Sequence, residues 1–368
     1  MKPARGMTPG DADALVAALV AGQTPNLDEV ITVWYAEPAT GERAITVDQT
    51  NRSVVVGDRA IVKWLLHTDV AGHPAPQRLQ ALVDAGFTAM PRPWGLLHQR
   101  DADTGALKLS AIVTEYLPGT EDGWEWAVED VRAHVRGEQS GALSAPIELG
   151  VITARMHLAF ARTGVEPANA KTCAEWHRVA EGDLGSALEL VDGAEGQRLR
   201  TLARRISQRL LPIAQCAGTP IIDVHGDLHI GQILRTSKPY VYTVVDFDGN
   251  PLQSALERMQ RQPAARDVAG LLASLDHVGR VVLYRTPGID PVLVEEWITA
   301  AQDLFLANYR DELARSDCAH LLDERLLGPF QVQQECREFG YSVRHLPHWR
   351  YVPDTALPAL LDRLDNSA

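Results

Sequence analysis

Two short polar clusters carry the densest chemistry in this 368-residue sequence: His225-Gly-Asp-Leu-His-Ile-Gly-Gln232 and Val244-Val-Asp246-Phe-Asp248-Gly249. Each directly follows an apolar, strand-like run, residues 220–224 and 240–245. A strand that ends in an acidic loop holds its carboxylates rigidly. Asp227, Gln232 and Asp246 offer oxygen ligands, and hard Mg²⁺ takes oxygens from one or two carboxylates together with substrate phosphates. With one aspartate on a metal, another is left to accept a proton from a hydroxyl nucleophile. That division of labour suits phosphoryl transfer. Taken singly, either cluster also reads as a solvated Gly/Asp turn. The pair, separated by a hairpin-sized gap, favours a site.

The elements that must position these clusters fall into two groups. Residues 11–20 have a polar start and helical apolar spacing, which predicts a first helix. Residues 30–35 and 44–47 read as strands around the turn Glu37-Pro-Ala-Thr-Gly41. Ser53-Val-Val-Val56 and Arg59-Ala-Ile-Val-Lys-Trp64 flank Gly57-Asp58, which suits a two-residue hairpin loop. Residues 76–84 look helical, and residues 110–117 look like one further strand. From about Glu121 the pattern turns helical, over residues 149–161, 196–216 and from Asp267 onward. The expectation is an α+β, bilobal chain: a sheet-rich lobe over residues 1–120 and a mainly helical lobe over residues 121–368, hinged near residues 115–123.

Composition limits the function classes. The 35 basic and 48 acidic residues leave a formal charge of −13. A chain so anionic is repelled by nucleic-acid backbones and anionic membrane surfaces, so neither partner is expected. No stretch approaches the ~18 apolar residues of a membrane helix. Asp11 and Asp13 precede the only apolar run near the N-terminus, where a signal peptide would carry positive charge. A cytoplasmic protein is expected. The four cysteines have neither CxxC nor zinc-ligand spacing and read as reduced thiols, mostly in the core.

HGDLHxxQ followed by a hairpin and DFDG resembles the aminoglycoside phosphotransferase and choline kinase superfamily, relatives of protein kinases. Residues 53–63, Gly123-Trp-Glu-Trp126, Arg155-Met-His-Leu158 and Arg266-Asp-Val-Ala-Gly-Leu-Leu272 resemble the branch of actinobacterial maltokinases and glucosamine kinases. The resemblance implies a eukaryotic-protein-kinase-like fold and ATP with Mg²⁺ as cofactors. It implies Asp227 as catalytic base, Gln232 and Asp246 as Mg²⁺ ligands, and Lys63 as the strand lysine on the α/β-phosphates. Asp248 is a weaker candidate for a second metal or for orienting the loop. Glu115 and Leu117 lie where relatives bind adenine through the backbone. Ser53 stands where a phosphate-binding loop would be, in a segment from Gln49 that also reads as an ordinary polar turn. There are two departures. Gln77 stands in the place of the helix glutamate that usually holds the lysine, and the chain has no GxGxxG or GxxxxGK[ST] loop. Met156 and His157 read as core. Trp124 and Trp126 read as helix packing or as a sugar platform.

The acceptor is expected to be read by the stretch from Gln334 to Asp354. Glu335, Glu338 and Tyr341 are spaced three apart, so one helical face can present two carboxylates and a phenol, with Arg344 at the next turn and Trp349 beyond. Carboxylates accept hydroxyl hydrogens from a sugar and favour an ammonium. A surface helix with Glu335–Arg337 and Glu338–Arg344 ion pairs is the alternative. Acidic character matches an amino sugar better than neutral maltose, and the stretch resembles the glucosamine kinase branch. The expected reaction is ATP-dependent phosphorylation of the glucosamine 6-hydroxyl, with small molecules and no protein as partners. Maltose or an aminoglycoside as acceptor, or a decayed, nucleotide-binding regulatory fold, are the alternatives.

Overall fold

The computed structural model describes residues 8–45, 51–66, 72–138 and 141–366. Gln49 and Thr50 of the expected phosphate segment, and Thr46 and Val47 of an expected strand, lie outside them. In chain order the elements are α1 (Asp11–Ala21), β1 (Glu29–Val33), β2 (Glu42–Ala44), β3 (Arg52–Val56), β4 (Ala60–Trp64), α2 (Ala75–Ala85), β5 (Pro93–Arg100) and β6 (Leu107–Glu115). There follow β7 (Thr120–Glu121), α3 (Gly123–Val135), α4 (Ser144–Ala161), β8 (Glu166–Pro167), α5 (Ala170–Leu190), α6 (Gly193–Leu210), β9 (Pro220–Ile221), β10 (Ile233–Thr236) and β11 (Tyr242–Val244). The chain closes with α7 (Ala255–Arg258), α8 (Ala265–Arg285), α9 (Pro291–Arg315), α10 (Leu327–His345) and α11 (Tyr351–Asn366). Two compact units result: residues 1–120 with 234–260, and residues 121–233 with 261–368. The segment 234–260, which carries DFDG, thus groups with the N-terminal sheet, where the sequence reading had it in the helical part.

The first unit is built on a six-stranded antiparallel sheet in the order β1-β5-β6-β4-β3-β2. The sequence pattern led us to expect β1 and β2 as neighbours around a turn, but they occupy opposite edges. Two local features put them there. β1 pairs with β5 from Glu29↔Gln99 to Val33↔Gly95, and at Gly95 even a Cβ would come within 2.2 Å of the Thr32 carbonyl oxygen. β2 is drawn instead to the start of α1. Glu42 accepts hydrogen bonds from the Gly10 N–H at 2.9 Å and the Ala12 N–H at 2.7 Å. A carboxylate there meets both the unpaired N–H groups and the positive end of the helix dipole. Leu15, Val16 and Leu19 of α1 then join Val54, Val62, Trp64, Trp94 and Val113 in one core.

The β3–β4 hairpin has a three-residue loop, not two, because Val56 pairs with Ala60. Gly57 and Asp58 both take positive φ, 57° and 50°, and the Arg59 N–H closes the turn on the Val56 carbonyl at 3.1 Å. The central pair has the mirror-image turn that matches strand twist, with one added residue. The register sets Ser53 directly opposite Lys63.

The second unit is mainly helical and contains the short antiparallel β8–β9 pair. Its spine, α8, is buried along most of its length. Cys173, Cys216, Cys318 and Cys336 are all free thiols, and all but Cys318 are buried. Among the described residues no helix is long and apolar enough to cross a membrane. Replacing Glu42 with alanine removes the cap of α1 and the tie to β2. We expect a loss of about 1–2 kcal/mol, read as a lower urea midpoint with an unchanged m-value.

Candidate functional site

In the first unit the hairpin of β10 and β11 delivers Asp246 at its exit. Asp246 takes a left-handed backbone, φ 66°, which few side chains other than Asn and Asp adopt. The kink brings Asp246 and Asp248 onto one lysine. Lys63 Nζ lies 2.6 Å from Asp246 Oδ1 and 2.6 Å from Asp248 Oδ2. Burial opposes the lysine's charge, but the two carboxylates overcome it and hold the ammonium above its ordinary range. Burial, and then the neighbouring Asp246, raise Asp248.

Helix α2 reaches this loop, through the residue after the one we singled out. Arg78 is buried and donates to the Phe247 carbonyl at 3.0 Å and the Arg258 carbonyl at 2.8 Å. At Gly249, φ 73°, a Cβ would press on Arg78 at 3.0 Å, so glycine allows the approach. Burial first, then the cations Arg258, Lys63 and Arg78, push His73 down to about 3. It is neutral beside Asp248 and adds no cation. Glu115 ends β6, where its N–H donates to the Arg92 carbonyl at 2.8 Å. The Leu117 carbonyl accepts from the Thr120 hydroxyl at 3.0 Å.

In the second unit the loop around Asp227 is strapped to α8. Asp267 accepts the His225 N–H at 2.7 Å and the Gly226 N–H at 2.8 Å. Ser274 Oγ accepts the Ile230 N–H at 2.9 Å. Between them Gly270 leaves room for the Leu228 carbonyl, which would lie 2.7 Å from a Cβ. Residues 267, 270 and 274 follow i, i+3, i+7 spacing and so share one helix face. The aspartate is held in turn from behind. His157 Nε2 lies 3.1 Å from Asp267 Oδ2, and Tyr309 Oη lies 2.7 Å from His157 Nδ1. Burial opposes charge on Asp267, but His157, His225 and the Gly226 N–H outweigh it, leaving the carboxyl below its ordinary value.

Helix α3 clasps the same loop. Gly123 sits so close to the Ile230 carbonyl that a Cβ would meet it at 1.7 Å. Trp126 Nε1 donates to the Ile233 carbonyl at 3.0 Å. Trp124 lies against Gly231 and packs edge-on to Trp349, ring centres 5.1 Å apart. Of the two tryptophans, Trp126 packs the core and Trp124 remains half-exposed. Gln232 is half-exposed, with its Nε2 3.5 Å from His229 Nε2.

Helix α10 divides its acidic face. Glu338 and Tyr341 are half-exposed and Arg344 is exposed, whereas Glu335 is buried. The expected surface ion pair Glu335–Arg337 does not form: Glu335 binds His277 at 2.8 Å, and Arg337 turns to Asp183 at 2.8 Å. Glu338 accepts from Gln334 Nε2 at 3.0 Å. Burial, then Glu338 and Asp227, raise the Tyr341 phenol.

No family model matches the chain. A glucosamine kinase of Streptacidiphilus jiangxiensis is 52% identical over 366 residues, covering 97% of this chain and 83% of that protein. The chain belongs to the glucosamine kinase family. A second member, from Mycolicibacterium smegmatis, is 40% identical over 360 residues, or 96% of this chain and 89% of that one. A solved glucosamine kinase in complex with glucosamine, ADP and inorganic phosphate matches with a TM-score of 0.86 at 50% identity, covering 96% of this chain and 83% of that one. Family membership agrees with the glucosamine kinase branch that the sequence motifs resemble.

Sequence reasoning passed over Asp267, Ser274, Arg78 and His277, and read His157 as plain core. The Arg266-Asp267 motif was noticed without a role, and only the fold puts its carboxylate under the loop. In Asp267→Asn one of the two backbone N–H groups loses its acceptor. The expected loss is about 1–3 kcal/mol at neutral pH. Because the folded carboxyl sits below its unfolded value, this contribution is present above the ordinary aspartate range and is lost as pH falls through the folded value. Urea unfolding of both proteins across acid pH should show the difference shrinking.

Proposed function

We propose that the protein transfers the γ-phosphoryl group of ATP to the 6-hydroxyl of glucosamine, giving ADP and glucosamine 6-phosphate. The observation that carries this reading is the acidic field of the α10 face, where Glu338 and Tyr341 remain half-exposed. An acceptor amine entering that field meets the charge it needs, and the solved relative named for its glucosamine, ADP and phosphate complex supports the choice.

Residues 1–120, with DFDG from 234–260, form the proposed nucleotide part, and the remainder of 121–368 the acceptor part. Lys63 steadies the phosphates, exchanging its aspartate partners for phosphate oxygens. Ser53, opposite it in the sheet, adds a hydroxyl donor. Glu115 and Leu117 border the adenine through their backbone. The oxygen donors of Asp246, Asp248 and Gln232 fit Mg²⁺ in kind, with Asp246 and Gln232 as ligands. When bound, Mg²⁺ neutralises charge on the transferring phosphates.

Asp227 accepts the proton of the sugar hydroxyl as its oxygen bonds to phosphorus and the bond to ADP breaks. Asp267 keeps that carboxylate in place through the backbone of His225 and Gly226. Glu335 and Glu338 read the ammonium, Tyr341 and Arg344 the ring hydroxyls, and Trp349 a C–H face of the sugar. The protein is assigned to the cytoplasm, which supplies ATP.

Two measurements test this. ADP release with glucosamine, glucose, N-acetylglucosamine, maltose and kanamycin offered separately should favour glucosamine, and preference for maltose or kanamycin would overturn the acceptor. Asp227→Ala should bind ATP as before and turn over slower by about 10²–10⁴-fold. Near-normal kcat in the folded variant would remove Asp227 from the base role.

A further inference from the structure

His277 follows Ser274 by three residues along α8, and its side chain is buried against α10. Its Nε2 lies 2.8 Å from Glu335 Oε1. The other oxygen of that carboxylate, Oε2, is buried and has no hydrogen-bond partner. Native interiors rarely leave a carboxylate oxygen in this condition, because it has lost water without gaining a donor.

The charged neighbours of His277 are few. From α10 it faces Glu335 and Glu338, and from its own helix Asp276. Asp276 is already committed to Arg280 at 2.7 Å and to Arg363 of α11 at 2.9 Å, and Arg280 also binds Glu295 of α9. Burial lowers the imidazole, but Glu335 outweighs it and the group is pushed up to about 9, hence charged at neutral pH. Burial raises Glu335, and His277 is the counter-charge that opposes this.

The residue type at position 277 matters. An arginine would engage both oxygens of Glu335 in a fork and leave nothing over. One imidazole N–H takes one oxygen and leaves the second uncommitted. Glu335 lies one helical turn before Glu338 on α10.

Resting on the acceptor reading above, we infer that His277 is a positioning residue for amine recognition: it clamps Glu335 Oε1 and so reserves Oε2 for the ammonium of the sugar. A sugar without the amine gains little from the clamp, so His277 sets the preference for glucosamine over glucose rather than the phosphoryl transfer itself.

Steady-state kinetics of His277→Phe, His277→Gln and Glu335→Gln with glucosamine and with glucose, at saturating ATP and Mg²⁺, test this. His277→Phe keeps the ring shape and removes donor and charge. Its KM for glucosamine should rise about tenfold or more, with kcat and the KM for ATP near wild type. Its kcat/KM for glucose should hardly change. His277→Gln keeps a donor without the charge and should fall between. Glu335→Gln should lose the same discrimination, and adding His277→Phe to it should cost no more. A folded His277→Phe with wild-type discrimination while Glu335→Gln loses it overturns the role of His277 and leaves the acceptor reading standing. If Glu335→Gln also discriminates normally, the assignment of Glu335 to the acceptor site is what fails, and the inference with it. Should His277→Phe not fold, His277→Gln decides alone, and unchanged discrimination there overturns the role.

Discussion

The Asp267 carboxylate accepts two consecutive backbone N–H groups, those of His225 and Gly226, from the buried N-terminus of a 21-residue helix. Two donors on one carboxylate give the loop a direction as well as an anchor. Gly226 has φ 81°, a conformation that suits glycine, and the bond to its N–H holds that conformation in place. Removing the carboxylate would take the acceptor from one buried and one part-buried donor on the segment that carries Asp227, at about 1–3 kcal/mol for the buried one. His157 and Tyr309 extend the chain inward, so α4 and α9 both help to set the position of the loop.

Helix α8 turns this single anchor into an ordered series. Asp267 takes two N–H groups, Gly270 admits a carbonyl, Ser274 takes a third N–H, and His277 reaches across to α10. The steps of three and four residues keep all four on one side of the helix. The same rigid rod therefore relates the proposed base to the proposed amine-binding carboxylate. Their spacing depends on helix geometry rather than on a flexible loop.

The first unit solves a different problem, which is to hold like charges together. Asp246 and Asp248 stay near each other because Lys63 binds both and because the loop's backbone is held by Arg78. The shared ammonium holds the two carboxylates close together. The arrangement resembles preorganisation in catalytic sites generally, where the polar groups are set before the charge develops.

Much of this was legible in the sequence because the chemistry is local. HGDLHIGQ and DFDG each fit within eight residues, the strand lysine follows an alternating apolar pattern, and the helical periodicity after Glu121 marks the change of architecture. The acidic residues of α10 were recognisable from their three-residue spacing alone. What the tertiary structure decided are matters of partnership between distant segments. Strand periodicity says which face is buried but not which strand is the neighbour, so β1 and β2 were misplaced as a pair, while Gly95 and Glu42 sent them to opposite edges. Helical spacing put Glu335 and Glu338 on one face, but only packing against α8 buried the first on His277 and left the second open. Asp267 lies 42 residues from His225 in the chain, and nothing in its local sequence reveals a bond that exists only when the helix is packed beneath the loop.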